Sequence, residues 1–305
     1  MAAPFRLGID VGGTKIEIVA LDAADEERLR HRVATPQGDY AGTVAAIAGL
    51  VAEAEQRLGA PPGACSIGIG APGSMSRMTG LLRNSNSLCL NGKPFKHDIE
   101  VRVGRAVRMS NDANCFALSE AQDGAAAGAQ IVFGAILGTG VGGGIVIDGV
   151  ALDGCNGIAG EWGHNPLPWP RDDERPGAPC YCGRSGCIET WVSGPAFERD
   201  HLAHAGRDLP TAQIAADAAA GDSESAASLA RYEERLARSL AHIINVLDPD
   251  VIVLGGGMSN VDRLYESVPQ RWGTWVFSDR VDTKLVRNVH GDSSGVRGAA
   301  RLWPR

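Results

Sequence analysis

The feature that most restricts the fold of this chain is a hairpin pattern with glycine in its turn, which occurs twice. An apolar run at Arg6–Asp10 leads into Val11-Gly-Gly-Thr-Lys15, and residues 16–20 then alternate apolar side chains with others. The same order returns at 131–148, with Gly138-Thr-Gly-Val-Gly-Gly-Gly144 as its turn. Alternation on both sides of a glycine turn is typical of a β-hairpin. Two copies predict two similar α/β domains that face each other.

Other elements follow from the spacing of apolar residues. Such residues recur at helical intervals from Val44 to Leu58, which predicts a helix after the first hairpin. Runs at Cys65–Gly70 and Val107–Ser110 predict strands that end in turn residues. A long amphipathic helix is stopped by Asp248-Pro249, and a buried strand then leads into Gly255-Gly-Gly257. The predicted strands therefore end in polar or glycine-rich turns.

One long segment carries no recognisable chemistry. Residues 193–230 are rich in alanine and charged residues, which is typical of surface helices. We expect no functional residue there.

Length and charge restrict the class of protein. The chain has 305 residues, 44% of them apolar, which is enough for two domains with buried cores. No apolar run approaches the roughly 20 residues of a membrane span, and the start lacks the features of a signal peptide. We therefore expect a cytoplasmic protein with no membrane contact. The formal charge of -7 argues against nucleic acid as a partner.

Four residues have the composition of a zinc site: His164, Cys180, Cys182 and Cys187. Three thiolates and one imidazole form a standard tetrahedral ligand set for structural Zn²⁺. Nearby glycines, at 177, 183 and 186, let the backbone curl tightly. The alternative is free or disulfide-linked thiols, although a C-x-C pair closes a small ring. Four further cysteines occur singly and are expected to be small buried apolar residues: Cys65, Cys89, Cys115 and Cys155.

The three glycine turns are candidate phosphate cradles. Backbone N–H groups approach a phosphate closely only where no Cβ intervenes, so glycines after strands suit this role. Neither a P-loop nor the dinucleotide pattern G-x-G-x-x-G is present. A single glycine turn is more often structural. Two opposed cradles, however, fit a nucleoside triphosphate.

The motifs occur together in one family. They are Asp10-Val-Gly-Gly-Thr14, Asn111-Asp112-Ala-Asn114, Gly138-Thr-Gly140, Glu161-Trp-Gly-His164, Cys180-x-Cys-x4-Cys187 and Gly255-Gly-Gly257. With them the chain resembles the ROK sugar kinases over nearly its whole length. Further stretches are similar to those of bacterial fructokinases, also called manno(fructo)kinases: Asn84-Ser-Asn86, Asn91-Gly92, Gly160-Glu-Trp-Gly-His-Asn-Pro-Leu-Pro-Trp169 and Gly291-Asp-Ser-Ser-Gly-Val-Arg-Gly-Ala299.

The resemblance implies an actin-like ATPase (ribonuclease H-like) fold, with two α/β domains around a cleft. It places a smaller domain at 1–112 and a larger one at 113–292, which carries the zinc-binding loop 164–187. A C-terminal helix near 293–305 would pack back on the smaller domain. ATP would bind the larger domain and the sugar would lie between the two. Members of the family are commonly homodimers, so a homodimer is implied.

The resemblance also assigns nucleotide and magnesium ligands. Gly12, Gly13 and Thr14, with Lys15 beside them, would approach the terminal phosphates, and Gly138, Thr139 and Gly140 would hold them from the other domain. Gly255, Gly256 and Gly257 would lie by the adenosine. Asp10 would act on Mg²⁺ through water, because this cation keeps several waters and takes few carboxylates.

Asp112 is the candidate general base. Phosphoryl transfer needs a carboxylate that accepts the proton of the attacking hydroxyl. The residue could instead be an N-cap of the helix that starts near Ala113, and without the resemblance both interpretations weigh equally. The resemblance favours the catalytic role.

Sugar recognition needs fixed donors and acceptors. The candidates are Asn86, Asn111, Asp112, Glu161, His164 and Glu189. The two glutamates, Glu161 and Glu189, flank the zinc ligands, so the metal would position both carboxylates without taking part in phosphoryl transfer. His164 would hold zinc by one ring nitrogen and lie near a sugar hydroxyl with the other. Without the resemblance, Glu189 is better explained as a surface salt bridge.

The function predicted from these residues is ATP-dependent phosphorylation of fructose to fructose 6-phosphate. The alternatives are a glucokinase, mannokinase or N-acetylhexosamine kinase, which would differ in the loops around Pro72–Asn91. A sugar-sensing repressor would need a helix-turn-helix segment before the first strand, and that strand is expected at Arg6. A catalytically silent sugar binder is disfavoured by Asp10, Asp112 and the glycine turns.

Overall fold

The structure is a computed structural model that describes residues 3–291 and 294–303. The chain divides into two compact units, the first comprising Met1–Asp123, Gly149–Ala159 and Asp292–Arg305, and the second Gly124–Asp148 and Gly160–Gly291. The domain limits expected from the sequence, with a boundary at 112/113, stay a prediction. Met1, Ala2, Asp292, Ser293, Pro304 and Arg305, which those limits and the C-terminal motif include, lie outside the described residues. Among the described helices, none has the length and apolar character needed to cross a membrane.

The described elements follow in chain order. The strands are β1 (Arg6–Val11), β2 (Lys15–Leu21), β3 (Glu27–Ala34), β4 (Ser66–Ala71), β5 (Ser74–Met75), β6 (Leu82–Arg83), β7 (Arg108–Asn111), β8 (Ile131–Leu137), β9 (Val141–Ile147), β10 (Val150–Ala151), β11 (Val251–Gly255) and β12 (Lys284–Arg287). The helices are α1 (Tyr40–Arg57), α2 (Phe95–Val103), α3 (Asp112–Gln122), α4 (Glu189–Val192), α5 (Gly194–Ala205), α6 (Thr211–Ala219), α7 (Ser223–Leu247), α8 (Leu264–Trp272) and α9 (Ser294–Ala300).

The sheet of the first unit has the order β3-β2-β1-β4-β7. Strand β1 runs antiparallel to β2 and parallel to β4, which is in turn parallel to β7. The predicted hairpin and the two predicted strands are therefore confirmed. Asp10 is in register with Gly70, and Ala71 with Asn111. The carboxyl ends of three neighbouring strands thus meet at one edge, where ligands bind in open α/β sheets.

Close contact between α9 and its neighbours depends on glycine. A Cβ atom at Gly8 would lie 2.1 Å from the carbonyl oxygen of Val296, and one at Gly68 would lie 1.8 Å from that of Ala299. On the other side of the helix, a Cβ at Gly298 would lie 1.7 Å from the carbonyl oxygen of Cys115. The helix backbone therefore lies directly on β1, β4 and α3.

The second unit repeats the hairpin and its two parallel neighbours. Its strands follow the order β9-β8-β11-β12, with β8 antiparallel to β9 and parallel to β11, and β11 parallel to β12. This is the arrangement of β2-β1-β4-β7 in the first unit. The repetition predicted from the sequence is confirmed.

The second glycine turn is shorter than the sequence predicted. The turn was expected at 138–144, but β9 already begins at Val141. The remaining glycines lie within the strand, and at Gly143 other backbone approaches closely. A Cβ at Gly143 would lie 2.6 Å from the carbonyl oxygen of Gly160.

Helix α7 is the predicted long helix, and Asp248 ends it in the left-handed region at φ 48°. The side chain of Glu174 lies buried against it and accepts hydrogen bonds from Arg235 and Arg238, at 2.9 and 2.7 Å. Helices α5 and α6 confirm the helices expected in 193–230. They are not purely surface helices, since Phe197 and Ile214 are buried in the core.

We expect Gly298→Ala to destabilise the protein by about 2 kcal/mol or more. The new methyl group would collide with the backbone of Cys115, which cannot move aside as a flexible side chain could. The matched control is Gly49→Ala. This glycine lies exposed within α1 and its Cβ would meet nothing, so alanine there should stabilise by about 0.5–1 kcal/mol. Urea unfolding of both variants measures the two signs. Equal effects would contradict the assigned packing of α9.

Candidate active site

Two aspartates meet at the carboxyl edge of the first unit's sheet. Asp10 is near the end of β1, and Asp112 is the first residue of α3, directly after β7. Burial raises the pKa of Asp10 to about 7, the negative charges of Asp112 and Glu17 add to this, and Lys15 acts in the opposite direction. A cation bound beside this carboxyl group would lower its pKa again and favour the charged form.

Helix α3 is capped by Asn111 rather than by Asp112. The Asn111 Oδ1 accepts the backbone N–H of Asn114 at 2.8 Å. The Asp112 carboxylate accepts the N–H of Ala113 at 2.9 Å and is accessible to solvent. Although the residue is exposed at the surface, partial desolvation by the protein packed around the carboxylate raises the pKa of Asp112 above its ordinary value, and the backbone N–H groups act in the opposite direction. Asp112 is therefore not the capping residue of α3, and its carboxylate can accept a proton.

The first glycine turn is held by its carbonyl groups. The N–H of Gly12 donates to the oxygen of Lys15 at 3.0 Å, and a Cβ on Gly12 would lie 2.8 Å from that oxygen. The Thr35 hydroxyl donates to the carbonyl of Gly12 at 2.7 Å, and the Gln37 amide to that of Gly13 at 3.3 Å. Gly13 and Thr14 are exposed. The tip of the turn is fixed from behind and open to a ligand in front.

The second and third glycine turns lie together in the second unit. The N–H of Gly138 donates to the oxygen of Gly140 at 3.0 Å, which closes the second turn. Gly256, at φ 78°, packs so tightly on this turn that its Cβ would lie 2.5 Å from the carbonyl oxygen of Leu137. Gly138, Thr139 and Gly257 line one cavity of about 1210 Å³. Gly255 is buried at the end of β11 and does not line it.

The other wall of this cavity was missed by the sequence analysis. It comes from α5 and α6, in the segment for which no chemistry was expected, and includes Pro195, Glu198 and Thr211. Five alanines of α6 also line it: Ala218 and the four at positions 212, 215, 216 and 219. Apart from Ala218, they share one face. These positions follow the i, i+3, i+4, i+7 spacing of a single helical face. A face of small side chains was the signal that could have identified this wall.

The four predicted zinc ligands lie together in the second unit. Their ligand atoms are all within 4.8 Å of one another. The sulfurs of Cys182 and Cys187 are 3.6 Å apart, well beyond the roughly 2.05 Å of a disulfide, so these thiols are free. The Nδ1 atom of His164 lies 3.6 Å from the Cys180 sulfur. Burial raises the pKa of the Cys180 and Cys187 thiols, whereas backbone hydrogen bonding lowers that of Cys182. The donor set and its spacing fit Zn²⁺.

His164 uses its second ring nitrogen as well. The Nε2 atom lies 2.9 Å from the hydroxyl of Tyr181, and the two rings meet edge to face. This orientation turns Nδ1 toward the cysteines. The positive φ angles of Gly177, Gly183 and Gly186 produce the tight curl expected of this loop.

Glu189 links the cysteine cluster to the second glycine turn. One carboxylate oxygen accepts the N–H of Val141 at 2.9 Å, and the other lies 3.9 Å from the Cys180 sulfur. The half-buried side chain thus contacts the second turn and the cysteine cluster instead of forming a surface salt bridge. Glu161 is half-buried just before Trp162, whose indole N–H donates to the carbonyl of Gly142 at 2.8 Å.

The two predicted asparagines have different positions within the first unit. Asn111 lines a small cavity of about 120 Å³ next to Asp112. Asn86 is exposed, in a loop held by Asn91. The side-chain oxygen of Asn91 accepts the N–H of Ser85, and its side-chain nitrogen donates to the carbonyl of Ser85. The structure does not bring Asn86 into that cavity.

Comparison with known proteins identifies the family. The ROK family model matches residues 6–305. The chain is 41% identical over 301 residues to the N-acetyl-D-glucosamine kinase of Photobacterium profundum, covering 97% of this chain and 98% of that protein. Its structure resembles the ROK hexokinase of Thermus thermophilus, with a TM-score of 0.85, 30% identity and coverage of 98% and 97%.

A second structural match has a bound nucleotide analogue. It is the ROK family glucokinase of Streptomyces griseus in complex with glucose and AMPPNP, with a TM-score of 0.75, 29% identity and 98% of each chain covered. The predicted actin-like ATPase fold is confirmed by these matches. The two duplicated sheets, the glycine turns and the matches agree, and the chain belongs to the ROK family of sugar kinases.

Proposed function

We propose that this protein transfers the γ-phosphoryl group of ATP to the primary 6-hydroxyl of N-acetyl-D-glucosamine. Sugar kinase activity follows from the family, and the proposal concerns the sugar. The observation that supports it is the 41% identity to an N-acetyl-D-glucosamine kinase along 97% of the chain. The comparisons favour this sugar, which was among the alternatives, over the fructose predicted from the sequence. The stretches that resemble those of fructokinases therefore do not by themselves identify the sugar.

The proposed mechanism begins with Asp112 as general base. Its carboxylate is accessible and its raised pKa makes it a stronger proton acceptor than an ordinary aspartate. Asp112 accepts the proton of the 6-hydroxyl as the hydroxyl oxygen attacks the γ-phosphorus, and ADP is the leaving group. Asp10 would hold Mg²⁺ through water, and the cation would offset the charge of the phosphates.

The nucleotide would be held by backbone and by the small-residue face of α6. The exposed tip at Gly13 and Thr14, with Lys15, would contact the terminal phosphates, as would Gly138, Thr139 and Gly140. The adenosine would occupy the cavity of about 1210 Å³, between Gly257 and the alanines of α6. Gly256 would support this site from behind by packing on the second turn, with Gly255 buried before it at the end of β11.

The sugar would be held by Asn111, Glu161 and Glu189, with Asn86 reaching in from its exposed loop. His164, expected from the sequence to join them, would reach a sugar hydroxyl only by giving up the contact of its Nε2 atom with Tyr181. Zn²⁺ held by His164, Cys180, Cys182 and Cys187 would fix the loop from which two of these ligands project, and it would take no part in transfer. A homodimer and a cytoplasmic location stay predictions.

We expect Asp112→Asn to lower kcat by about 10²–10⁴-fold, because the amide accepts no proton. In the unmutated protein, kcat/KM should fall as the pH is lowered through the raised pKa of Asp112, where the base becomes protonated. The variant should melt no lower at pH 8, since it removes a desolvated charge. Coupled ADP release measures the rates. Asp279→Asn, an exposed aspartate elsewhere, is the control, and comparable turnover of both variants would exclude Asp112 as the base.

The sugar is tested by kcat/KM for N-acetylglucosamine, fructose, mannose and glucose. We expect N-acetylglucosamine to exceed the others by about tenfold or more, since a site built to bond an amide loses those bonds with a plain hydroxyl. A preference for fructose would restore the sequence-based prediction. No turnover of any sugar would favour a sugar sensor.

The metal is tested by elemental analysis of the purified protein. We expect about one zinc per chain, as a closed four-ligand site requires. Cys182→Ser should lose this zinc and lower the melting temperature, whereas Cys155→Ser, which changes an exposed cysteine outside the cluster, should change neither. A zinc-free protein with full stability would contradict the proposed structural role.

A further inference from the structure

The cavity beside Asn111 is built from distant parts of the first unit. The β5–β6 hairpin contributes Ser74, Met75 and Leu82 to one wall. Strand β7 and helix α3 contribute Ser110 and Asn114 to the other. Asp153 and Gly157 close it. Its volume of about 120 Å³ is far too small for a sugar ring with its substituents, but it fits one substituent of a ring.

Two buried polar atoms in the wall of this cavity have no hydrogen-bond partner. They are the hydroxyl oxygen of Ser74 and the amide oxygen of Asn114, in residues that are 8% and 4% exposed. Buried polar groups are nearly always bonded, so an unbonded pair in one cavity indicates a ligand or a water. A hydroxyl can donate to a carbonyl oxygen, and an amide oxygen can accept from an N–H group.

The orientation of the Asn114 amide is fixed by its neighbours. Its nitrogen donates to the hydroxyl of Ser110 at 3.2 Å and to the carboxylate of Asp153 at 3.3 Å. Because a carboxylate only accepts, a reversed amide would place two oxygens against each other. The oxygen of Asn114 is therefore an acceptor without a donor.

The rest of the wall is mixed, with the polar side chains of Arg77, Ser110, Asn111 and Asp153 beside an apolar part. In the apolar part, Ala71 and Leu82 are buried, and Met75 and Met109 are half-buried thioethers that adapt to the shape of a small group. The two unbonded atoms thus offer one acceptor and one donor, and the apolar part offers a surface for a methyl group. This combination matches an acetamido group.

We propose that this cavity is the subsite for the 2-acetamido group of the sugar. The amide N–H of the ligand donates to Asn114, its carbonyl accepts from Ser74, and its methyl packs on Leu82 and the two methionines. Both protein atoms are buried, so the contacts require rotation of the Ser74 hydroxyl and, at Asn114, a shift of the amide against its bonds to Ser110 and Asp153. The inference rests on the proposed function. It also explains how the hairpin after Pro72 selects the sugar, since Ser74 belongs to it.

The test compares Ser74→Ala with Ser76→Ala, which removes a hydroxyl from the same hairpin outside the cavity. For Ser74→Ala we expect kcat/KM with N-acetylglucosamine to fall about tenfold, the effect of one lost hydrogen bond. Glucose, measured as a substrate or as an inhibitor of N-acetylglucosamine phosphorylation, should change less than about twofold. Ser76→Ala should change neither sugar.

A second measurement does not depend on turnover. N-acetylglucosamine should raise the melting temperature of the unmutated protein more than that of Ser74→Ala, while the two proteins melt together without ligand. An equal loss for both sugars, or no loss, would overturn the subsite and leave the cavity as a site for water. The proposed function fails separately, if the unmutated protein does not prefer N-acetylglucosamine, and the subsite would then fall with it.

Discussion

The contact of α9 with bare backbone is the constraint on which the first unit's site depends. Gly8 and Gly68 let this helix lie directly on β1 and β4, and Gly298 lets it touch α3. A side chain at any of these positions would push the helix from the strands whose carboxyl ends lie beside Asp10 and Asp112. The same contact places Gly295 beside Asp10, since a Cβ atom at Gly295 would lie 3.6 Å from the Asp10 carboxylate. Asp10 and Asp112 therefore share a site because small residues let three elements approach.

In the second unit, buried charge has the corresponding role. Burial acts to raise the pKa of Glu174, but its hydrogen bonds to Arg238 and Arg235 outweigh this and lower it to about 2. The carboxylate therefore stays ionised and ties the segment between His164 and Cys180 to α7. Removing one partner of such a buried pair leaves an uncompensated charge, which is strongly destabilising. The loop 164–187 is thus fixed at its middle by an ion pair.

Local patterns in the chain were sufficient to predict both hairpins, the strands after them and α7, because alternation and helical spacing are properties of neighbouring residues. The glycines at 142–144 were misassigned to a turn. Tertiary packing explains the glycine at 143, because the backbone of Gly160 packs against it and leaves no room for a Cβ atom. The α6 wall was missed for a similar reason, since a face of alanines is informative only once a cavity is seen beside it.

The sequence by itself determined the two duplicated sheets and the residue types of the Cys/His cluster, since each depends on residue type at short spacing, and its resemblance to the ROK family singled out Asp10 and Asp112. Only the tertiary structure showed that Asn111 rather than Asp112 caps α3, that Glu189 joins the cluster to the second turn, and that Ser74, Asn114 and Asp153 enclose one cavity. These residues are far apart in the chain. Their contacts depend on how the strands pair and how closely the helices pack, which no local pattern records.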